Sequence, residues 1–290
     1  MTIIDAHQHV WDPRKAHYAW LTEALAPIDR PFGFEELRPS LRRAGVDATV
    51  LVQSADNDED TELMRETARA NPEVAAIVAF VPLNQPERAA ERLAELRADP
   101  LIVGIRNLIH EIPDPDYILR PDVDEGLGLL ERQGVTFDYV SVLPRHLEHV
   151  STLSERHPNL RIVIDHLSKP PIGSDEWEPW WSLIKTAAEN PNVYAKVSGL
   201  YAASGGLAGW SVDAVRPHFE RAVSVFGPDR LMYGGDWPIS LLAGGYDRVW
   251  DGLSELFAEL GDEDRSCILG HTAQKFYGID DDRLLVGSND

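Results

Sequence analysis

The sequence predicts a single α/β domain, a (β/α)8 TIM barrel over residues 1–278, followed by an acidic tail at 279–290. Three observations carry this expectation. Eight short runs rich in Val, Ile, Leu and Ala recur along the 290 residues, with stretches of helical apolar spacing between them. Several of the runs are almost uninterrupted in apolar residues, as strands covered on both faces should be. The competing open, doubly wound sheet would carry Gly-x-Gly-x-x-Gly after its first strand, whereas here that strand ends in histidines.

In chain order, the strands fall at "TIIDAH" (2–7), "ATVLVQ" (48–53), "VAAIVAFVPL" (74–83) and "LIVGIRN" (101–107). "VTFDYVSV" (135–142), "LRIVIDH" (160–166), "NVYAKVSG" (192–199) and "RLMYGGD" (230–236) complete the eight. The helix "GFEELRPSLRRAG" (33–45) ends on a glycine stop. "DEDTELMRETARANP" (58–72) opens on aspartate and closes on Asn-Pro, and "PERAAERLAELRAD" (86–99) begins with proline at a first-turn position. The same plan repeats at 122–134, 143–158, 177–191, 211–228 and 247–261, and "DEDRSCILGHTAQKFYG" (262–278) adds a last helix. Three connections are long: 10–33, 108–122 and 200–213. Each follows a strand and therefore lies on the C-terminal face of a barrel, where active sites are built.

Bulk composition excludes several function classes. Hydrophobic residues make up 43% and charged residues 26%, an ordinary globular balance. A net charge of −21 argues against nucleic acid or an anionic membrane as partner, because both need a basic surface. The lone Cys267 allows no intrachain disulfide. Asp5 and His7 interrupt any apolar leader, and no run approaches a membrane span. The expectation is a cytoplasmic enzyme with a small-molecule substrate, its assembly into a homo-oligomer left open.

If the strands close, the polar residues at their ends meet at one mouth. Strand one contributes His7 and His9, two apart and so on one face of an extended strand. Strand six contributes Asp165 and His166, and strand eight Asp236. Three imidazoles and a carboxylate suit one divalent ion of borderline character, such as zinc or manganese. Without metal, the imidazoles could hydrogen-bond a carbonyl oxygen while the carboxylate serves as general base. Each residue also has a plain alternative, His166 as a core or capping histidine and Asp236 as a helix N-cap.

"DAHQHVW" (5–11), "DHLSKPPI" (165–172), "YAKVSGL" (194–200) and "LMYGGDWPISLL" (231–242) resemble the amidohydrolase superfamily, and within it the branch of sugar-lactone and pyrone-dicarboxylate lactonases. "AGVDATVLVQS" (44–54), "LIVGIRN" (101–107) and "ILRPDV" (118–123) extend the likeness over nearly the whole chain. The resemblance implies a (β/α)8 barrel of carbohydrate catabolism that hydrolyses the ester of a small lactone, a sugar aldonolactone such as L-fucono- or L-rhamnono-lactone or a muconolactone-type acid. It implies that His7, His9, His166 and Asp236 are the catalytic residues and would be the ligands of a metal, which some relatives use and others lack. Strand four ends Arg106-Asn107 without a bridging lysine and strand five ends "VSVLP" without a histidine, so at most one metal is expected.

Further residues are candidates for substrate contact. Arg106 could clamp an anion, or form an interior ion pair with Asp138 or Asp165. Gln53 and Lys169 lie at or past strand ends, Tyr139 lies in strand five, and Trp11 and Trp237 follow the catalytic strand ends, where aromatic walls suit sugar rings. His110, with Asn107, departs from the lactonase pattern. His146, His149 and His157 are expected on a solvent face, and His271 in a capping or surface role. The rivals are a metal-dependent decarboxylase of the same superfamily and a non-catalytic sugar-binding barrel.

Overall fold

A computed structural model describes residues 1–200 and 210–284 of the chain. The strands are β1 (Ile4–Gln8), β2 (Ala48–Val52), β3 (Val74–Ala79), β4 (Ile102–Asn107), β5 (Thr136–Tyr139), β6 (Ile162–Ile164), β7 (Val193–Val197) and β8 (Leu231–Tyr233). They form one sheet in chain order with every pair parallel. Gln8 bridges to Trp237 past the end of β8, and the ring of a (β/α)8 barrel closes there.

The strand positions match expectation, but several are shorter. β6 spans three residues because the chain leaves the sheet at Asp165, and β8 stops at Tyr233 because Gly234 and Gly235 turn toward β1. The outer layer holds α1 (Phe34–Ala44), α2 (Asp58–Ala70), α3 (Pro86–Leu96), α4 (Pro121–Gln133), α5 (Pro144–Arg156), α6 (Trp180–Ala187), α7 (Val212–Phe226) and α8 (Tyr246–Ala258). α1 ends where Gly45 turns left-handed at φ 69°, and α3, α4 and α5 begin with proline in the first turn. The last predicted helix breaks into α9 (Asp262–Ser266), a wide turn at Cys267–His271 and α10 (Thr272–Tyr277). That turn brings Gly270 against the Thr2 carbonyl, where a β-carbon would collide.

Two apolar layers result. Small inward residues such as Ala6, Ala48 and Ala76 fill the barrel floor, which Phe276 and Tyr277 of α10 plug from below. A larger layer lies between strands and helices. Arg283 donates to the carbonyls of Ala75 and Pro100, so residues 279–284 of the expected acidic tail are tied to the barrel; 285–290 lie outside the described residues. Loop 10–33 packs over the mouth through buried Trp11, Tyr18, Ile28 and Phe32, and Tyr18 donates to the buried Asp60 of α2 at 2.8 Å. Most of the predicted loop 200–213, residues 201–209, lies outside the described residues.

One expectation is corrected. His146, His149 and His157 do not face solvent but are buried. α5 packs against neighbouring elements on more than one side, which leaves these positions enclosed. His149 reaches Asp116 at 2.9 Å and His157 reaches Asp124 at 3.2 Å. His271 is exposed, as expected.

Candidate active site

Two backbone hydrogen bonds assemble the mouth. Asp236 N–H donates to the His7 carbonyl and His9 N–H donates to the Trp237 carbonyl, both at 2.8 Å. They seat the segment after β8 beside β1. Beneath them the buried Asp5 carboxylate accepts from Gly235 N–H at 2.8 Å, Tyr246 Oη at 2.9 Å, Gln8 Nε2 at 3.0 Å and His7 N–H at 3.1 Å. Burial pushes the Asp5 carboxyl up to about 6 against the pull of those bonds.

The backbone conformation at the two other contributing strand ends is unusual. His166, Leu167, Ser168 and Lys169 take φ of 56°, 50°, 59° and 49°, and Asp236 takes 51°. Left-handed backbone at non-glycine residues is uncommon and concentrates at functional sites. Here it turns His166 over the barrel axis, its ring centroid 4.5 Å from that of His7, with Nδ1 2.8 Å from Ser198 Oγ.

Three ligand-type atoms converge. His7 Nε2 and His9 Nε2 lie 3.2 Å apart, and Asp236 Oδ1 lies 3.8 Å and 3.5 Å from them. His9 Nδ1 lies 2.7 Å from the Val52 carbonyl, which only accepts, so the proton sits on Nδ1 and Nε2 keeps its lone pair. This donor set fits a divalent ion of borderline character, all its ligand atoms falling within 4.8 Å of one another. His166 falls instead into an overlapping group with His7 and Asp165.

Below the imidazoles is a buried charge network. Lys196 of β7, fully enclosed, lies 2.5 Å from Asp138 Oδ2, 3.2 Å from Asp165 Oδ1 and 3.1 Å from His7 Nδ1. Tyr277 also donates to Asp138, at 2.8 Å. Arg106 donates to Asp165 Oδ2 at 2.9 Å and to the Gln53 carbonyl. Arg106 thus forms the interior ion pair with Asp165 while also reaching the cavity wall.

Burial opposes charge at every one of these groups, and the neighbours decide which ones ionise. At Asp236, His166, the His9 hydrogen bond, His7 and Lys169 outweigh burial and hold the carboxyl well below the usual range. Burial, then Lys169 and Arg106, bring His166 down to about 3, and burial also drives His7 well below the usual imidazole range. The mouth therefore pairs an ionised Asp236 carboxylate with the neutral imidazoles of His7 and His166 near neutral pH.

The cluster opens into a cavity of about 190 Å³. Its polar wall includes His9, Arg106, His110, His166, Lys169 and Asp236, and its apolar wall Trp20, Leu108, Val140, Val142 and Ile239. A shallower cleft of about 540 Å³ adjoins it across Trp20 and Leu108. Burial lowers Lys169, whose Nζ lies 3.4 Å from the Gly199 carbonyl, and brings His110 down to about 4. Four other candidates stand behind the wall. Trp11 and Trp237 pack edge-on against Phe32, Tyr139 donates to the His146 carbonyl, and Gln53 donates to the carbonyl of Arg106.

Lys196, Asp5, Ser198 and Ser54 escaped the sequence reading. Lys196 had a signal: a lysine inside the apolar run "VYAKV" must be paired if the strand is buried. Gly199 is a further hidden determinant. It sits at φ 57°, and a β-carbon there would collide with His166 Nδ1 and come within 2.9 Å of Asp236 Oδ2. A Gly199→Ala variant is expected to lose at least about tenfold in kcat/KM, about 1.4 kcal/mol in transition-state binding, by displacing both side chains. Steady-state kinetics beside a far-ultraviolet circular dichroism spectrum check this.

Barrel and mouth together define a class: a (β/α)8 barrel whose mouth gathers imidazoles, a carboxylate held ionised by its neighbours and a donor set suited to one metal ion. Residues 4–279 match the amidohydrolase family, and the chain belongs to it. It is 37% identical over 281 residues to an L-fucono-1,5-lactonase of Burkholderia ambifaria, covering 96% of each chain. An L-fucono-1,5-lactonase of Burkholderia multivorans is 31% identical, with 95% of this chain and 96% of that one covered. The structure also resembles a crystal structure of an amidohydrolase from Burkholderia multivorans with bound zinc, at TM-score 0.89 and 29% identity over 97% of this chain and 100% of that one. Among the described residues, no helix is long and apolar enough to cross a membrane.

Proposed function

We propose that this protein opens the ester ring of a small sugar lactone of the L-fucono-1,5-lactone type by attack of water. The observation that carries the reading is the Asp236 carboxylate on the wall of a cavity of about 190 Å³, set against His9 of the same wall and His7 behind it. The two lactonases above 30% identity support the substrate class.

In this reading the lactone carbonyl oxygen points to the imidazole cluster. Asp236 accepts a proton from the attacking water and returns it to the ring oxygen as the alcohol leaves. Its Oδ1 faces His7 and His9 while its Oδ2 lies on the Gly199 side, so one carboxylate can touch the cluster and the water together. His7, His9 and Asp236 would hold a divalent ion, which supplies Lewis-acid polarisation of the carbonyl and a more acidic water. His166, neutral and tied to Ser198 by its Nδ1, presents its other nitrogen toward the substrate. Arg106, Lys169 and His110 offer polar contacts for ring hydroxyls, and His110 Nδ1 is buried without a partner, a position suited to such a contact. Trp20 and Ile239 cover the apolar face of the sugar.

The test offers L-fucono-1,5-lactone and other aldonolactones and follows acid release with a pH indicator, before and after chelator treatment. Ring opening that falls after chelation and returns with zinc or manganese is expected. Carbon dioxide release from aromatic acids without lactone opening, or lactone binding without hydrolysis, overturns the reading.

A further inference from the structure

The mechanism makes no use of Lys196, yet it touches the far nitrogen of His7. A chain of donors and acceptors runs through this contact. The Val52 carbonyl fixes the proton of His9 on Nδ1, so His9 Nε2 offers a lone pair to His7 Nε2 at 3.2 Å. If His7 carries its proton on Nε2, it donates to His9 and the chain is closed. If the proton is on Nδ1, two lone pairs and the Asp236 carboxylate face one another, an arrangement that a bound cation stabilises.

At His7 Nε2 itself Arg106 Nη1 lies 3.4 Å away and can donate only when the proton is on Nδ1, so it sides with Asp165. The two closer contacts are at the other end of His7. Its Nδ1 lies 3.1 Å from Lys196 Nζ, which only donates, and 3.3 Å from Asp165 Oδ1, which only accepts. An N–H of Lys196 pointing at Nδ1 requires the proton on Nε2. Acceptance by Asp165 requires the proton on Nδ1. Lys196 has three N–H donors and three acceptors in reach, Asp138, Asp165 and His7, so its donor geometry is fully used when it bonds His7.

We propose that Lys196 is a positioning residue that selects the tautomer of His7, and that with Asp165 it sets whether the His7–His9–Asp236 cluster is a closed hydrogen-bond chain or a cation site. Lys196 favours the closed chain and Asp165 the cation site. When a divalent ion binds, the proton leaves Nε2 and one is carried on Nδ1, with no net change at His7. Lys196 must then withdraw its N–H from Nδ1, which lowers metal affinity. Neighbouring ring protons set by a carboxylate or carbonyl are a general means of orienting ligating histidines; here an ammonium competes for the same nitrogen. The inference concerns the cluster alone and does not depend on which substrate is turned over.

The experiment uses the full chain, cleared of metal with chelator, at fixed pH 8. Nitrogen-15 NMR of labelled histidines reads which ring nitrogen of His7 carries the proton. Titration calorimetry with Zn²⁺ and Mn²⁺ reads affinity. The unaltered protein is expected to carry the proton on Nε2. Lys196→Met with Asp138→Asn, which removes one charge of each sign, moves it to Nδ1 and tightens metal binding at least tenfold. Asp165→Asn acts oppositely. It removes the charged acceptor beside His7 Nδ1, keeps the proton on Nε2 and weakens metal binding at least tenfold. A purely structural role predicts weaker metal binding in both variants and no tautomer change. That result, or a proton on Nδ1 in the unaltered metal-free protein, overturns the proposal. If a variant fails to fold, the NMR of the unaltered protein still decides.

Discussion

An Asp236→Asn variant is expected to keep the barrel and to lose lactone turnover by roughly 10²- to 10⁴-fold, the contribution of a positioned general base. The substitution isolates the chemistry unusually well. Asp236 sits at φ 51°, left-handed backbone that asparagine tolerates better than other non-glycine residues. Its N–H bond to the His7 carbonyl is a backbone bond and survives the change. An amide cannot take a proton from water, and its NH2 group adds a donor to a cluster that needs acceptors. The fall should appear in kcat, with the thermal unfolding midpoint little changed. Near-normal kcat in a folded Asp236→Asn variant would remove Asp236 from the mechanism.

The second large effect is on stability. A Lys196→Met variant leaves Asp138 in the barrel floor without its ammonium partner, and breaking a buried pair in this way costs about 3–5 kcal/mol. Burial already pushes the Asp138 carboxyl up, with Lys196 the largest opposing influence. Without Lys196 its folded value rises further above the unfolded one. Stability linked to such a group is present at low pH and is lost as pH rises through the folded value. The deficit should therefore be smaller at pH 5 than at pH 8, as read from urea midpoints with an unchanged slope. Adding Asp138→Asn should restore most of it at pH 8, since neutral replacement of a buried pair is often tolerated. A deficit equal at both pH values would mean that Asp138 is not the group left uncompensated.

Much of the mouth was legible before the fold. His7 and His9 stood out because two imidazoles two residues apart on a strand share a face, a property that depends only on backbone period. Asp236 and His166 followed once eight strands were counted, because a parallel barrel gathers all its strand ends at one rim. Arg106 was read as an anion contact or an interior pair with Asp138 or Asp165, and the pair with Asp165 is present in the fold. The segment made of α5 and the residue after it misled for a reason of packing. Its histidines fall at spacings compatible with a solvent face, but the surrounding elements enclose them.

What the sequence determined by itself, then, was the periodic part: the order of strands and helices, their parallel closure and the residue types delivered to the rim. Those follow from local patterns of apolar residues and turn signals, each read within a few positions. Tertiary structure alone decided the contacts between strands far apart in the chain. Lys196 meets Asp138 and His7 across separations of 58 and 189 residues, and Gly235 meets Asp5 across 230. It also decided that Trp11, Trp237 and Tyr139 stand behind the cavity wall while Trp20 forms part of it, since the path of a long loop is set by packing. Which donors and acceptors meet, such as Lys196 and Asp165 at His7 Nδ1, bears on protonation at the rim, and no one-dimensional pattern encodes it.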